Sequence, residues 1–250
     1  MHSLRVALAF LTRIPLTPST VNFPAPSIGG WFPIAGLVIG TLVGAVYWVA
    51  TLVLPPLPAA AVAIGVGILI TGAFHEDGLA DTFDALGGGL DTEAVLRIFK
   101  DSRLGTFGVA ALSLSILLRV TLLGSLGATA GFLALVVAHS LGRGVAASAM
   151  GFARPASSGL GTSLMAGFTR RQGLMVAVLT LVIAVVLVGG AGAIGFAVAV
   201  AAAAILVRWA TNKAGGITGD VLGAIEQCGE IAVLLAVVAT IEYWMIPWWS

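Results

Sequence analysis

Charge is what this 250-residue chain has least of: Asp, Glu, Lys and Arg make up 9% of it, where a soluble domain carries about 25%. So few charges cannot furnish a polar skin, and 59% hydrophobic residues put lipid against much of the surface. The single cysteine, Cys228, excludes an intramolecular disulfide and any cysteine-based zinc site. A net charge of +1 excludes a bulk electrostatic pull toward nucleic acid. A compact signal peptide is also missing: residues 1–30 hold Arg5, Arg13 and four prolines, and the long apolar sequence begins only near Trp31.

What the chain does have is apolar runs, at about 31–54, 57–76, 107–125, 129–150, 173–189, 191–210 and 229–247. Each is close to the ~20 residues that cross a bilayer as a helix. The expectation is one all-α integral-membrane domain over 1–250, a polytopic bundle of about seven spans. Gly189–Gly190 reads either as a turn between two spans or as a kink in one. Arg5, Arg13, Arg97, Lys100, Arg103, Arg154, Arg170, Arg171, Arg208 and Lys213 fall in alternate connections, and the intervening ones carry no Lys or Arg. The positive-inside rule then predicts a cytoplasmic N-terminal segment (1–30) and cytoplasmic loops at 75–106, 151–172 and 211–228, in the inner (cytoplasmic) membrane. Trp31 and Trp209 are expected at the inner interface, and Trp48, Trp244, Trp248 and Trp249 at the outer one.

The few carboxylates are concentrated. Seven of the eleven lie between His75 and Asp101, and three between Asp220 and Glu230. Span two is expected to run on as a helix into the cytoplasm, until Gly87-Gly88-Gly89 stops it. On that helix Asp77, Asp81 and Asp84 fall within about 60° of one face. Three like charges on one stripe repel, unless a cation sits among them. Mg²⁺ suits such a place, since it takes one or two carboxylates together with substrate phosphates. Gly78 leaves room for another backbone or a ligand. The plain alternative, a solvated helix end, sets these acids against the helix dipole. His75 reads as structural.

Lys100-Asp101-Ser102-Arg103 is a second polar patch. Lys100 and Arg103 can clamp phosphate oxygens with Ser102 donating, and Asp101 is a metal ligand or a partner of Arg103. In the third, Gly215-Gly216-Ile217-Thr218-Gly219-Asp220, backbone N–H groups can cradle a phosphate, and Asp220 is a metal ligand or a helix cap. Glu226 and Glu230 share a face, and Glu230 enters an apolar span, where a carboxylate is expensive unless used. His139 and Arg143 share a face of span four, toward the same cavity. Arg119 and Glu242 are expected to pair structurally. Arg154-Pro155 and the 157–167 loop read as a substrate cover or as a plain connection.

These blocks, His75-Glu76-Asp77-Gly78-Leu79-Ala80-Asp81-Thr82, Lys100–Gly108 and Gly215–Ala224 with Glu226 and Glu230, resemble the signatures of the cobalamin synthase (adenosylcobinamide-GDP ribazoletransferase) family. Phe10-Leu11-Thr12-Arg13-Ile14-Pro15 and Trp31-Phe32-Pro33-Ile34-Ala35-Gly36 are similar to its N-terminus. The segment departs at Phe83-Asp84-Ala85, where the family often has a smaller residue before the acid and glycine after it. The resemblance implies transfer of α-ribazole or its 5′-phosphate onto adenosylcobinamide-GDP with release of GMP, using Mg²⁺. It implies metal binding by Asp77, Asp81, Asp84, Asp101 and Asp220. Catalytic roles fall to Asp77, Asp81, Glu226 and Glu230, either glutamate serving as base. Substrate contacts fall to Arg13, Lys100, Ser102, Arg103, Arg143, Arg154, Lys213, Gly216 and Thr218. Expected partners are the two substrates, the bilayer and either a second copy or other corrinoid-pathway enzymes, with no nucleic acid. Alternatives are a CDP-alcohol phosphotransferase, whose Ala-Arg pair is missing because Asp81 follows Ala80, a prenyltransferase, and a non-enzymatic corrinoid transporter or scaffold.

Overall fold

The computed structural model describes residues 2–16, 26–101, 103–156 and 160–244. Eleven α-helices account for most of these residues: α1 (His2–Leu11), α2 (Phe32–Ala50), α3 (Pro56–Thr71), α4 (Phe74–Gly88), α5 (Thr92–Ile98), α6 (Thr106–Gly124), α7 (Ala128–Met150), α8 (Leu160–Met165), α9 (Arg170–Val188), α10 (Gly190–Ala214) and α11 (Gly219–Trp244). No strand occurs among the described residues. Among the described residues six helical segments are long and apolar enough to cross a membrane, and there are seven when the bent pair α3–α4 is counted as one broken span. This is the expected multi-pass all-α bundle.

The expected straight continuation of span two is corrected. The chain breaks at Gly72 and Ala73, both left-handed (φ 68° and 57°), and α4 leaves α3 at 89°. Glycine takes this conformation readily, whereas alanine pays for it. Gly72 also leaves space for Arg13, whose Nε occupies the position a Cβ would need, and Arg13 N–H donates to the Ile70 carbonyl at 2.8 Å. Gly189, at φ 61°, resolves the other ambiguity as a turn between α9 and α10.

Glycine faces set the helix crossings. On α2, Gly36 and Gly40 lie against the α7 backbone: a Cβ on Gly40 would come within 2.7 Å of the Leu135 carbonyl oxygen. Gly142 of α7 and Gly229 of α11 meet in the same way, a Cβ on Gly229 falling 2.7 Å from Gly142 Cα. Small residues let backbones approach in lipid, where packing rather than water exclusion drives association. The result is that α7 is buried almost throughout between α2, α9 and α11, with His139 and Arg143 facing inward. At the opposite end from the site, Tyr47 Oη reaches the carbonyls of Leu123 and Leu126 at 3.0 and 2.6 Å, closing the C-terminus of α6.

Candidate active site

Helices α4 and α11 cross at Gly78 and Gly223. A Cβ on Gly78 would lie 2.9 Å from the Asp220 carbonyl oxygen and 3.3 Å from Gly223 Cα. The close approach expected of Gly78 therefore occurs, and it brings Asp77 and Asp81 of α4 beside Asp220 at the start of α11. Asp77, Asp84 and Asp220 all lie near enough for their charges to act on Asp81. Asp77 is exposed and Asp81 half-buried, and neither side chain has a hydrogen bond or a cation among the described residues. Asp220 accepts a hydrogen bond from Thr218 Oγ1 at 3.1 Å.

Asp84 is turned to another task. Its two oxygens accept the Gly105 and Gly108 N–H groups at 2.7 and 2.8 Å, across the N-terminus of α6. A carboxylate on those unpaired donors is favoured by the helix dipole, and a Cβ on Gly108 would collide with it. The three-aspartate stripe thus divides: Asp77 and Asp81 stand with Asp220, and Asp84 holds α6 in place.

A cavity of about 310 Å³ opens beside this crossing. His75, Asp77, Lys100, Arg143, Thr218 and Asp220 supply its polar side. Its apolar side includes Phe10, Phe32, Phe74, Phe99, Met150 and Leu164. Phe10 stacks on Phe32 (centroids 6.0 Å apart) and meets Phe74 edge-on at 5.5 Å. Sequence reasoning missed this aromatic wall, because its members are spread over α1, α2, α4 and α5 with no shared period. The Phe10–Pro15 and Trp31–Gly36 segments carry a family resemblance but no periodic signal of this wall.

Other expected residues lie apart from the cavity. Arg103 is exposed and paired with Asp101 at 2.6 Å, and that guanidinium holds the Asp101 carboxyl down at about 2. Lys213 Nζ donates to the Gly89 carbonyl at 2.9 Å, tying the end of α10 to the end of α4. Arg154 is exposed, and its carbonyl accepts the Ile217 N–H at 2.8 Å while Ala156 N–H donates to Ile217 O at 2.9 Å. That pairing fills the space beside Gly216, where a Cβ would strike the Arg154 carbonyl. Arg13 sits at the α3–α4 bend. Ser102 lies outside the described residues, as do 157–159 of the expected cover and Trp248 and Trp249.

Behind the cavity lies a buried ionic lattice. Arg119 contacts Glu76 and Glu230, both at 3.0 Å. Arg143 contacts Glu230 at 3.1 Å and Glu226 more closely. His139 Nδ1 touches Glu230, and His75 Nδ1 lies 3.7 Å from Glu226. Gln227 bridges Glu226 and Glu76, and Ser115 donates to Gln227 at 3.1 Å. The expected Arg119–Glu242 pair is corrected: among the described residues Arg119 pairs with Glu76 and Glu230, because the start of α4 and the middle of α11 reach its depth. The Glu242 side chain lies outside the described ones. A polar signal was present: Ser115 and Arg119 share a face of α6, as Gln227 and Glu230 do of α11.

Glu226 and Glu230 do not line the cavity. They hold Arg143, which does, and so act on the site through it. Among the described residues, His139, Glu226 and Glu230 form the one trio whose ligand atoms lie within 4.8 Å of one another. Two guanidiniums already occupy these carboxylates, so a cation there would have to displace one.

The chain matches the family model described as cobalamin-5-phosphate synthase over residues 3–238. It is 41% identical to an adenosylcobinamide-GDP ribazoletransferase of Bradyrhizobium diazoefficiens over 94% of this chain and 93% of that one. Proteins with the same name from Ralstonia nicotianae (37% identical, 95% of both chains) and Shewanella pealeana (38%, 92% of both) are also similar. No solved structure matches. A family match over residues 3–238, a range that holds the α4–α11 crossing, the 100–108 patch and the buried lattice, places this chain in the cobalamin-5-phosphate synthase family.

Proposed function

We propose that this chain joins α-ribazole, free or as its 5′-phosphate, to adenosylcobinamide-GDP and releases GMP, forming the cobalamin product or its phosphate. The observation that carries the reading is the meeting of Asp77 and Asp220 with Lys100 and Arg143 around one cavity at one end of a membrane bundle. The activity for which the relatives are named requires a diphosphate to be held and broken. Uncompensated acids beside two cations are a fitting receiver for a metal-bound diphosphate.

The donor set fits Mg²⁺ that arrives with the substrate. Asp77, Asp81 and Asp220 oxygens do not converge tightly enough to cage an ion alone, but Mg²⁺ needs only one or two carboxylates when phosphates and waters complete its shell. Asp77 and Asp220 would hold it. Bound there, it neutralises charge on the diphosphate. Lys100 adds positive charge for the departing GMP, while Arg143, its charge already met by Glu226 and Glu230, offers N–H donors at the cavity wall. The ribazole hydroxyl attacks the phosphorus that carries the cobinamide. Its proton passes to Asp81, which stands one turn from Asp77 beside the cavity and has no hydrogen-bond partner among the described residues. We assign this end of the bundle to the cytoplasmic side of the inner membrane, because the basic connections cluster there.

The test is GMP release from detergent- or liposome-held protein given adenosylcobinamide-GDP, ribazole 5′-phosphate and Mg²⁺. Release that stops with chelator and matches a joined corrinoid product is the expected result. Folded protein that releases no GMP would overturn the reading.

A further inference from the structure

The aromatic side of the cavity has no task in the chemistry above. Phe74 lies three residues before Asp77 on α4, so the two side chains stand one turn apart on a shared face, about 4.5 Å along the axis. Phe74 is 42% exposed and borders the cavity, backed by Phe10 and Phe32. An apolar aromatic wall therefore leads to an acid.

The cavity, about 310 Å³, is at the small end of the roughly 300–1,000 Å³ that encloses drug-sized ligands. A corrinoid, several-fold larger than a nucleoside, cannot enter it whole. A nucleoside can. Two bases compete for the place: the guanine of the donor and the benzimidazole of the acceptor. Guanine carries hydrogen-bonding groups around its edge, and burying them against phenylalanine leaves them unpaired. A benzimidazole is nearly apolar and suits such a wall.

Building on the transferase reading, we infer that Phe74, backed by Phe10 and Phe32, is the subsite for the flat apolar base of the acceptor nucleoside. Stacking there turns the ribose toward Asp77 and leaves the corrinoid at the cavity mouth. The phenylalanines select the base and take no part in bond making.

Two measurements test it. In the first, α-ribazole binding to detergent-held protein is followed without donor, for the wild type and for Phe74→Ala and Phe74→Trp. Loss of one stacking partner should weaken ribazole binding about tenfold in Phe74→Ala, with recovery in Phe74→Trp. In the second, turnover of Phe74→Ala should show a KM raised about tenfold for ribazole and unchanged for adenosylcobinamide-GDP. A raised donor KM would give the wall to guanine and overturn the inference, as would unchanged ribazole affinity. Wild-type protein that binds ribazole through Phe74 yet releases no GMP would sink the transferase reading and leave the subsite standing.

Discussion

Two groups of acids share the same two helices, adjacent in sequence on α4 (Glu76 and Asp77) and two to three turns apart on α11, and they are treated in opposite ways. Glu76, Glu226 and Glu230 are buried and face Arg119, Arg143, His75 and His139. Asp77, Asp81 and Asp220 sit at the cavity end with no cation bound to them among the described residues. In a chain this poor in charge, neutralising one group and not the other separates the framework from the acids to which we assign the chemistry. A buried carboxylate left alone is very costly, so the first group must be paired for the bundle to exist. The second group can stay unpaired because it is only partly buried, and that leaves it open to the metal-bound diphosphate proposed above.

The sharpest way to break the comparison is to remove a cation from the paired group. Arg119→Leu leaves Glu76 and Glu230 short of a counter-charge at bilayer depth. Stability should fall by about 3–5 kcal/mol, read as a lower Tm in detergent, since Arg119 lines no part of the cavity. An unchanged Tm would mean the lattice is not structural. Next is Asp77→Asn, which should lower turnover on the order of a hundred- to a thousandfold, as loss of a key electrostatic contact does, at unchanged Tm. If Tm falls with turnover, Asp77 belongs to the framework and the contrast collapses. A smaller effect is expected of Gly78→Ala. The added methyl would press on the Asp220 backbone, costing about 1–3 kcal/mol as overpacking does. Turnover should drop more than Tm, because the insult separates Asp77 from Asp220.

Much of this arrangement was legible in the sequence. The apolar runs coincide with α2, α3, α6, α7, α9, α10 and α11 because lipid imposes a length that composition reveals. The helical face of Asp77 and Asp81 followed from spacing alone. The diversion of Asp84 did not, since its partners are backbone N–H groups of Gly105 and Gly108, and backbone donors leave no mark in composition. Ala73 gave no warning of its left-handed backbone. The lattice partners were out of reach for a different reason. Arg119 and Glu230 are 111 residues apart, and pairing at that separation depends on which helices are neighbours. Depth in the membrane suggested Glu242 to Arg119, but neighbourhood chose Glu76 and Glu230.

Helix α11 belongs to both regions. Asp220 is in its first turn, and Glu226 and Glu230 follow on the same uninterrupted rod, the latter about 15 Å along the axis. Distance between the two regions is thus counted in residues. Gaining or losing one residue between Gly223 and Glu226 would turn the cavity end by about 100° relative to the lattice. Asp220 would then point away from Asp77 even if every side chain were kept. In this short interval the chain can change its letters more safely than its length.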